Sequence, residues 1–100
     1  MKKKIRICNK NELKENSIKL IKINEEEILI IKSNDEIFLI RSICLHMGAP
    51  LVNGKLTKEY LQCPWHGCKW NFKDGKCFNN SMRLKTFDYS IENDEVFLLN

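Results

Sequence analysis

One hundred residues, 43% hydrophobic and 30% charged, suit one small globular domain and leave no room for a second. The formal charge of +4 comes from seventeen Lys and Arg against thirteen Asp and Glu. These lysines mostly alternate with Ile and Leu, as on the wet face of a strand, which argues against the clustered basic surface of a nucleic-acid binder.

The predicted elements are short and mostly of period two. Lys4–Cys8 alternates, and Asn11–Glu15 offers at most a helical turn, with Asn11 as its cap. Ile18–Ile23 alternates again. Glu27–Lys32 and Ile37–Arg41 are denser apolar strands, bounded by the turn-like Asn24-Glu25-Glu26 and Ser33-Asn34-Asp35-Glu36. Residues 44–80 interrupt the pattern, which resumes at Leu84–Tyr89 and Glu95–Leu99 across Glu92-Asn93-Asp94. An all-β, antiparallel sandwich or barrel follows, with residues 44–80 set into a base made by 1–43 and 81–100. The longest apolar run, Ile28–Ile31, falls far short of the roughly 18 residues of a membrane helix. The basic start Met1-Lys2-Lys3-Lys4 lacks the apolar stretch of a signal peptide. The expectation is a cytoplasmic protein with neither membrane nor nucleic acid as partner.

The inserted region carries the chemistry. Cys44-Leu45-His46 and Cys63-Pro64-Trp65-His66 each offer one thiolate and one imidazole, and together they use both histidines of the chain. Four such donors suit zinc or a [2Fe–2S] cluster of mixed ligation. Zinc fingers usually pair Cys with Cys and His with His, the latter a helical turn apart. Here both loops are mixed, which favours the cluster. Of the other cysteines, Cys8 ends an alternating segment and reads as core, Cys68 as a small residue filling the second loop, and Cys77 as a half-buried strand residue. Without a secretion signal, reduced thiols are expected.

The stretches Cys44-Leu45-His46-Met47-Gly48-Ala49-Pro50-Leu51 and Cys63-Pro64-Trp65-His66-Gly67-Cys68-Lys69-Trp70 resemble the two cluster-binding boxes of the Rieske ferredoxin family, in motif and in separation. The resemblance extends over nearly the whole chain, with its specific part in residues 44–75. It implies the Rieske fold, a small cluster-binding lobe on an antiparallel base, and one [2Fe–2S] cluster per chain. It also implies that Cys44 and Cys63 hold the inner iron while His46 and His66 hold the outer one. Gly48 and Gly67 would bring backbone N–H groups towards the sulfides, Pro50 and Pro64 would stiffen the loops, and Trp65 would shield the cluster. Gly54 and Gly75 read as ordinary turn glycines.

High-potential members of the family carry a loop-joining disulfide and two hydroxyl donors, where this chain has Ala49, Trp65, Cys68 and Trp70. A potential near the low end of the family range is therefore expected, falling with pH as the imidazoles deprotonate. The chain departs from the family pattern at Asn71, where Asp is frequent, and in its basic charge. The implied function is a one-electron carrier between a reductase and a terminal oxygenase or other acceptor. A third histidine for a separate oxygen-activating iron is lacking. The alternatives are a small subunit of a larger reductase, similar to the nitrite reductase small subunit, and a zinc-stabilised interaction module.

Overall fold

The structure, a computed structural model, describes residues 3–42, 50–64, 68–78 and 81–99. Among the described residues, nine strands form two antiparallel sheets. The six-stranded sheet contains β1 (Lys4–Asn9), β2 (Ser17–Ile23), β3 (Glu26–Ser33), β4 (Glu36–Arg41), β8 (Thr86–Glu92) and β9 (Glu95–Leu99), in the order β1-β9-β8-β4-β3-β2. The three-stranded sheet contains β5 (Lys55–Leu56), β6 (Leu61–Gln62) and β7 (Lys69–Trp70). The chain is thus all-β, as its periodicity predicts, and both flanks of the insertion build the larger sheet.

Three hairpins share one turn chemistry. Asn24-Glu25, Asn34-Asp35 and Asn93-Asp94 all have positive φ at both central residues, the requirement of the type I′ turn whose twist matches its flanking strands. Pairings Ile23↔Glu26, Ser33↔Glu36 and Glu92↔Glu95 close them. Asn and Asp tolerate this region because their short side chains hydrogen-bond locally. Glu25, at φ 68°, lacks that compensation.

Two expectations need correction. The turn after β1 is a 3₁₀ turn, Lys10–Glu12, capped by Asn9 rather than Asn11. The Asn9 side chain accepts from the Asn11 amide at 2.9 Å, while Glu12 reaches back to the Asn9 amide at 3.2 Å, a reciprocal capping box. The strand expected from Leu84 begins at Thr86. The Leu84 amide donates to the Gly75 carbonyl at 2.8 Å and its side chain is 1% exposed, so Leu84 belongs to the packing of the inserted region.

Alternation along β3 and β4 divides the interior in two. Ile28, Ile30, Ile37 and Leu39 face a core with Cys8, Leu13, Val96 and Leu98. Leu29, Ile31 and Ile40 point the other way, onto Leu51, Leu61, Trp70, Phe72 and Leu84. Successive residues of a strand face opposite sides, so one hairpin, buried on both faces, serves the base and the inserted lobe together. Phe38 joins the second core against Phe72, with ring centroids 5.0 Å apart.

Replacing Glu25 with Gly relieves a left-handed residue worth about 1–2 kcal/mol at an entropic cost of about 0.5–1 kcal/mol. Glu25→Gly is therefore expected to stabilise the protein by about 0.5–1 kcal/mol and raise the unfolding midpoint by about 2–8 °C. Thermal unfolding followed by circular dichroism checks it.

Candidate metal centre

The inserted lobe is held by backbone hydrogen bonds at its loop bases. The Leu51 amide donates to the Ser42 carbonyl at 2.9 Å, pinching the chain on either side of residues 43–49. The Cys63 amide donates to the Cys68 carbonyl at 2.7 Å, closing the connection between β6 and β7. Pairs Leu61↔Trp70 and Gln62↔Lys69 run directly into that second closure. Each motif-bearing stretch is thus flanked by a backbone hydrogen bond between described residues on its two sides.

Of the four predicted donors, the structure describes Cys63. Cys44, His46 and His66 lie outside the described residues, as do Gly48, Ala49, Trp65 and Gly67. Among the described residues no three of His, Cys, Asp or Glu converge on one point. Cys63 is 2% exposed, in no disulfide, and packed with the lobe core.

The remaining cysteines sort themselves by place. Cys8 packs in the other core, among Ile28, Ile30 and Val96; burial pushes its thiol above the ordinary range, with smaller opposing effects of Lys19 and Arg6. Cys68 and Cys77 are buried in the lobe, their Sγ atoms 3.6 Å apart. Cys77, expected half-buried, is 7% exposed and bridges to Trp70. Cys8 therefore stands apart from the motif loops, and Cys68 faces Cys77.

The surroundings of Cys63 suit a sulfur-rich metal group. Its thiol is a soft donor in a nearly dry site, where a metal would hold it as thiolate. The Trp70 indole N–H is buried with no acceptor among the described residues. Buried donors normally find partners, and a cluster sulfide or thiolate held by the neighbouring loops is an acceptor of the right kind. The donor set, the orphaned N–H and the pinched loops together fit the [2Fe–2S] group.

Two glycines prove more constrained than ordinary turn residues. A Cβ on Gly54 would lie 2.3 Å from the Gln62 carbonyl oxygen, and one on Gly75 would lie 2.2 Å from that of Leu84. Gly75 also has φ +82°. Gly54 lets the chain after Leu51 lie directly on β6, one residue before Cys63. Only an isolated Gly at a chain crossing signals this in sequence.

The comparisons with known proteins agree with this geometry. A family model for the Rieske [2Fe-2S] domain matches residues 3–88. The chain belongs to that family. Among curated proteins, it is 30% identical over 94 residues to "Apoptosis-inducing factor 3" of Homo sapiens, covering 92% of this chain and 16% of that protein. It is 28% identical over 90 residues to the ferredoxin component of the naphthalene 1,2-dioxygenase/salicylate 5-hydroxylase systems of Ralstonia sp, covering 88% and 86%. The chain therefore spans about a sixth of the first relative and most of the second. Among solved structures, Sphingomonas yanoikuyae B1 ferredoxin superposes with a TM-score of 0.89 at 22% identity, covering 98% of this chain and 99% of that one. A putative NADH-dependent nitrite reductase small subunit from Mycobacterium tuberculosis gives 0.88 at 10% identity, covering 100% and 96%. These last two likenesses establish the shared fold.

Gly54→Ala forces β6 to move at Gln62 and should lower both the iron bound per chain and the thermal midpoint. Lys55→Ala, an exposed neighbour, should alter neither. Iron determination on the two purified variants checks this, and an unchanged iron content in Gly54→Ala contradicts the link between that crossing and the site.

Proposed function

We propose that this chain is a Rieske ferredoxin: one domain, residues 1–100, with a cluster-binding lobe over about 44–80. It holds a single [2Fe–2S] cluster through Cys44, His46, Cys63 and His66. It carries one electron between a reductase and a terminal oxygenase or other acceptor, and performs no catalysis of its own. The observation that carries the reading is the buried thiol of Cys63 at the pinched neck of its loop, in a chain whose family match spans residues 3–88. The ferredoxin component from Ralstonia sp, matched over most of its length, supports the carrier role.

Bound there, the cluster supplies a one-electron couple. The chain supplies the rest. Leu61, Trp70 and Phe72, each at most 1% exposed, exclude water from the inner side of Cys63. The closed loop neck fixes the Cys63 backbone, so its sulfur needs little rearrangement when the charge changes. The two imidazoles leave the oxidised group neutral where four thiolates would leave it at about −2, which eases the arrival of an electron. Both histidines are consumed by this ligation, and a mononuclear iron site of two histidines and a carboxylate has no ligands left in this chain.

No helix among the described residues is long and apolar enough to cross a membrane. A reducing, cytoplasmic setting suits the reading, because the cluster needs its cysteines as thiolates rather than in disulfides.

A potentiometric titration of the loaded protein tests the proposal. A single one-electron wave is expected near the low end of the family range of about −150 to +300 mV, because the two loops bring no hydroxyl donor. A midpoint above roughly +150 mV contradicts this reading of the ligand surroundings. Cys63→Ala should abolish the wave and the bound iron together, and a retained wave would remove Cys63 from the ligand set.

A further inference from the structure

The chain's positive charge is unevenly placed. Residues 44–80 contain five lysines against two acids, Glu59 and Asp74, a net of +3. The longer remainder of the chain holds twelve basic residues against eleven acidic, a net of +1. In the base many charges cancel locally: Lys4 with Glu92, Arg6 with Glu95 at 2.9 Å, Lys10 with Asp94 at 3.7 Å and Lys85 with Glu26 at 3.8 Å. In the lobe Lys55, Lys58, Lys73 and Lys76 are exposed. The lobe that carries the cluster motifs is the positive pole of the molecule.

An aromatic feature sits at the same pole. Phe78 is 57% exposed, the most exposed of the large apolar side chains among the described residues. Its amide donates to the Lys69 carbonyl at 2.8 Å. Its ring stands edge-on to Tyr60, with centroids 6.1 Å apart, and the Lys69 ammonium lies 5.0 Å above the Tyr60 ring. Glu59, Tyr60, Lys69 and Phe78 together border one surface hollow. Lys69 pairs across the sheet with Gln62, the residue before Cys63, so the patch adjoins the second motif loop.

We propose that this patch is the docking face for an acidic redox protein, with Phe78 as the apolar anchor and the surrounding lysines as the steering charge; the proposal rests on the carrier function above. An exposed aromatic bordered by Lys69 and Glu59, on a lobe of net positive charge, matches an interface centre with a polar rim. A positive pole on the lobe that carries the cluster motifs speeds encounter with a partner of opposite sign. Single-stranded nucleic acid is the less favoured occupant. One face of Tyr60 is occupied by Lys69, and Phe78 meets Tyr60 by its edge rather than as an open stack.

The test is electron transfer from the reduced, cluster-loaded protein to cytochrome b5, an acidic haem protein, and to cytochrome c, a basic one, by stopped flow at rising salt. The rate with cytochrome b5 should fall about tenfold between roughly 20 and 300 mM salt, as screening shortens the reach of the charges, while that with cytochrome c should not fall. Lys58→Glu/Lys69→Glu should slow transfer to cytochrome b5 several-fold and remove its salt dependence. Lys14→Glu/Lys22→Glu, an equal charge change on exposed residues of the base, should do neither. Phe78→Ser should slow transfer at every salt concentration. Equal effects of the two charge reversals, or no effect of Phe78→Ser, overturn the docking face while leaving the carrier function intact. An oligothymidylate bound more tightly than cytochrome b5, and released by the lobe reversal, also overturns it in favour of nucleic acid. Protein that takes up no cluster overturns the carrier function and this proposal with it.

Discussion

The double-sided burial of the β3–β4 hairpin is the constraint on which the remainder of the molecule rests. Leu29, Ile31 and Ile40 support the inserted lobe, while Ile28, Ile30, Ile37 and Leu39 close the base. The lobe's own strands, β5, β6 and β7, are two residues each, too short to hold together in water unaided. They persist because Leu61 and Trp70, paired across β6 and β7, bury completely against the outer face of that hairpin. A one-residue slip of β3 would exchange its two faces and disturb both cores at once.

This arrangement places the thiol proposed as a ligand, Cys63, in a buried, apolar setting at the end of β6. Cys63 leaves β6 at the floor of the lobe, its backbone fixed by the Cys68 carbonyl and its surroundings apolar. Lobe packing and metal binding then reinforce one another, because a small lobe with minimal strands gains folding free energy from any group that ties its loops together. The same short strands leave little sheet between the motif loop and the surface. Lys69, paired across the sheet with Gln62, therefore lies close to Cys63, with Tyr60 and Phe78 beside it.

Much of this was legible in the residues. Period-two alternation located β1, β2 and β9, and dense apolar runs between turns located β3 and β4, all to within a residue or two; the Asn-Asp pairs marked two of the three tight hairpins. The four donors and their grouping pointed to the mixed cluster, and the family match over residues 3–88 agrees with the fold they implied. What stayed hidden depended on distant contacts. Leu84 reads as the start of a strand, yet its amide is taken by Gly75. Gly54 and Gly75 read as turn residues, whereas their cost lies in carbonyls of Gln62 and Leu84 remote in sequence. The cap was a local signal: Asn9 has Glu12 three residues on, the capping-box spacing, whereas Asn11 has Lys14 there. Lys4, Arg6 and Lys10 read as wet-face charges of a strand, yet each pairs with an acid near the other end of the chain.

The central claim is that two cysteines and two histidines of this lobe hold a [2Fe–2S] cluster, and electron paramagnetic resonance of the dithionite-reduced protein tests it most directly, with iron and zinc counted on the same sample. A rhombic signal with average g below the free-electron value, at about two irons per chain, is the predicted result. A silent spectrum with about one zinc per chain would contradict the account and leave a metal-stabilised interaction module in its place.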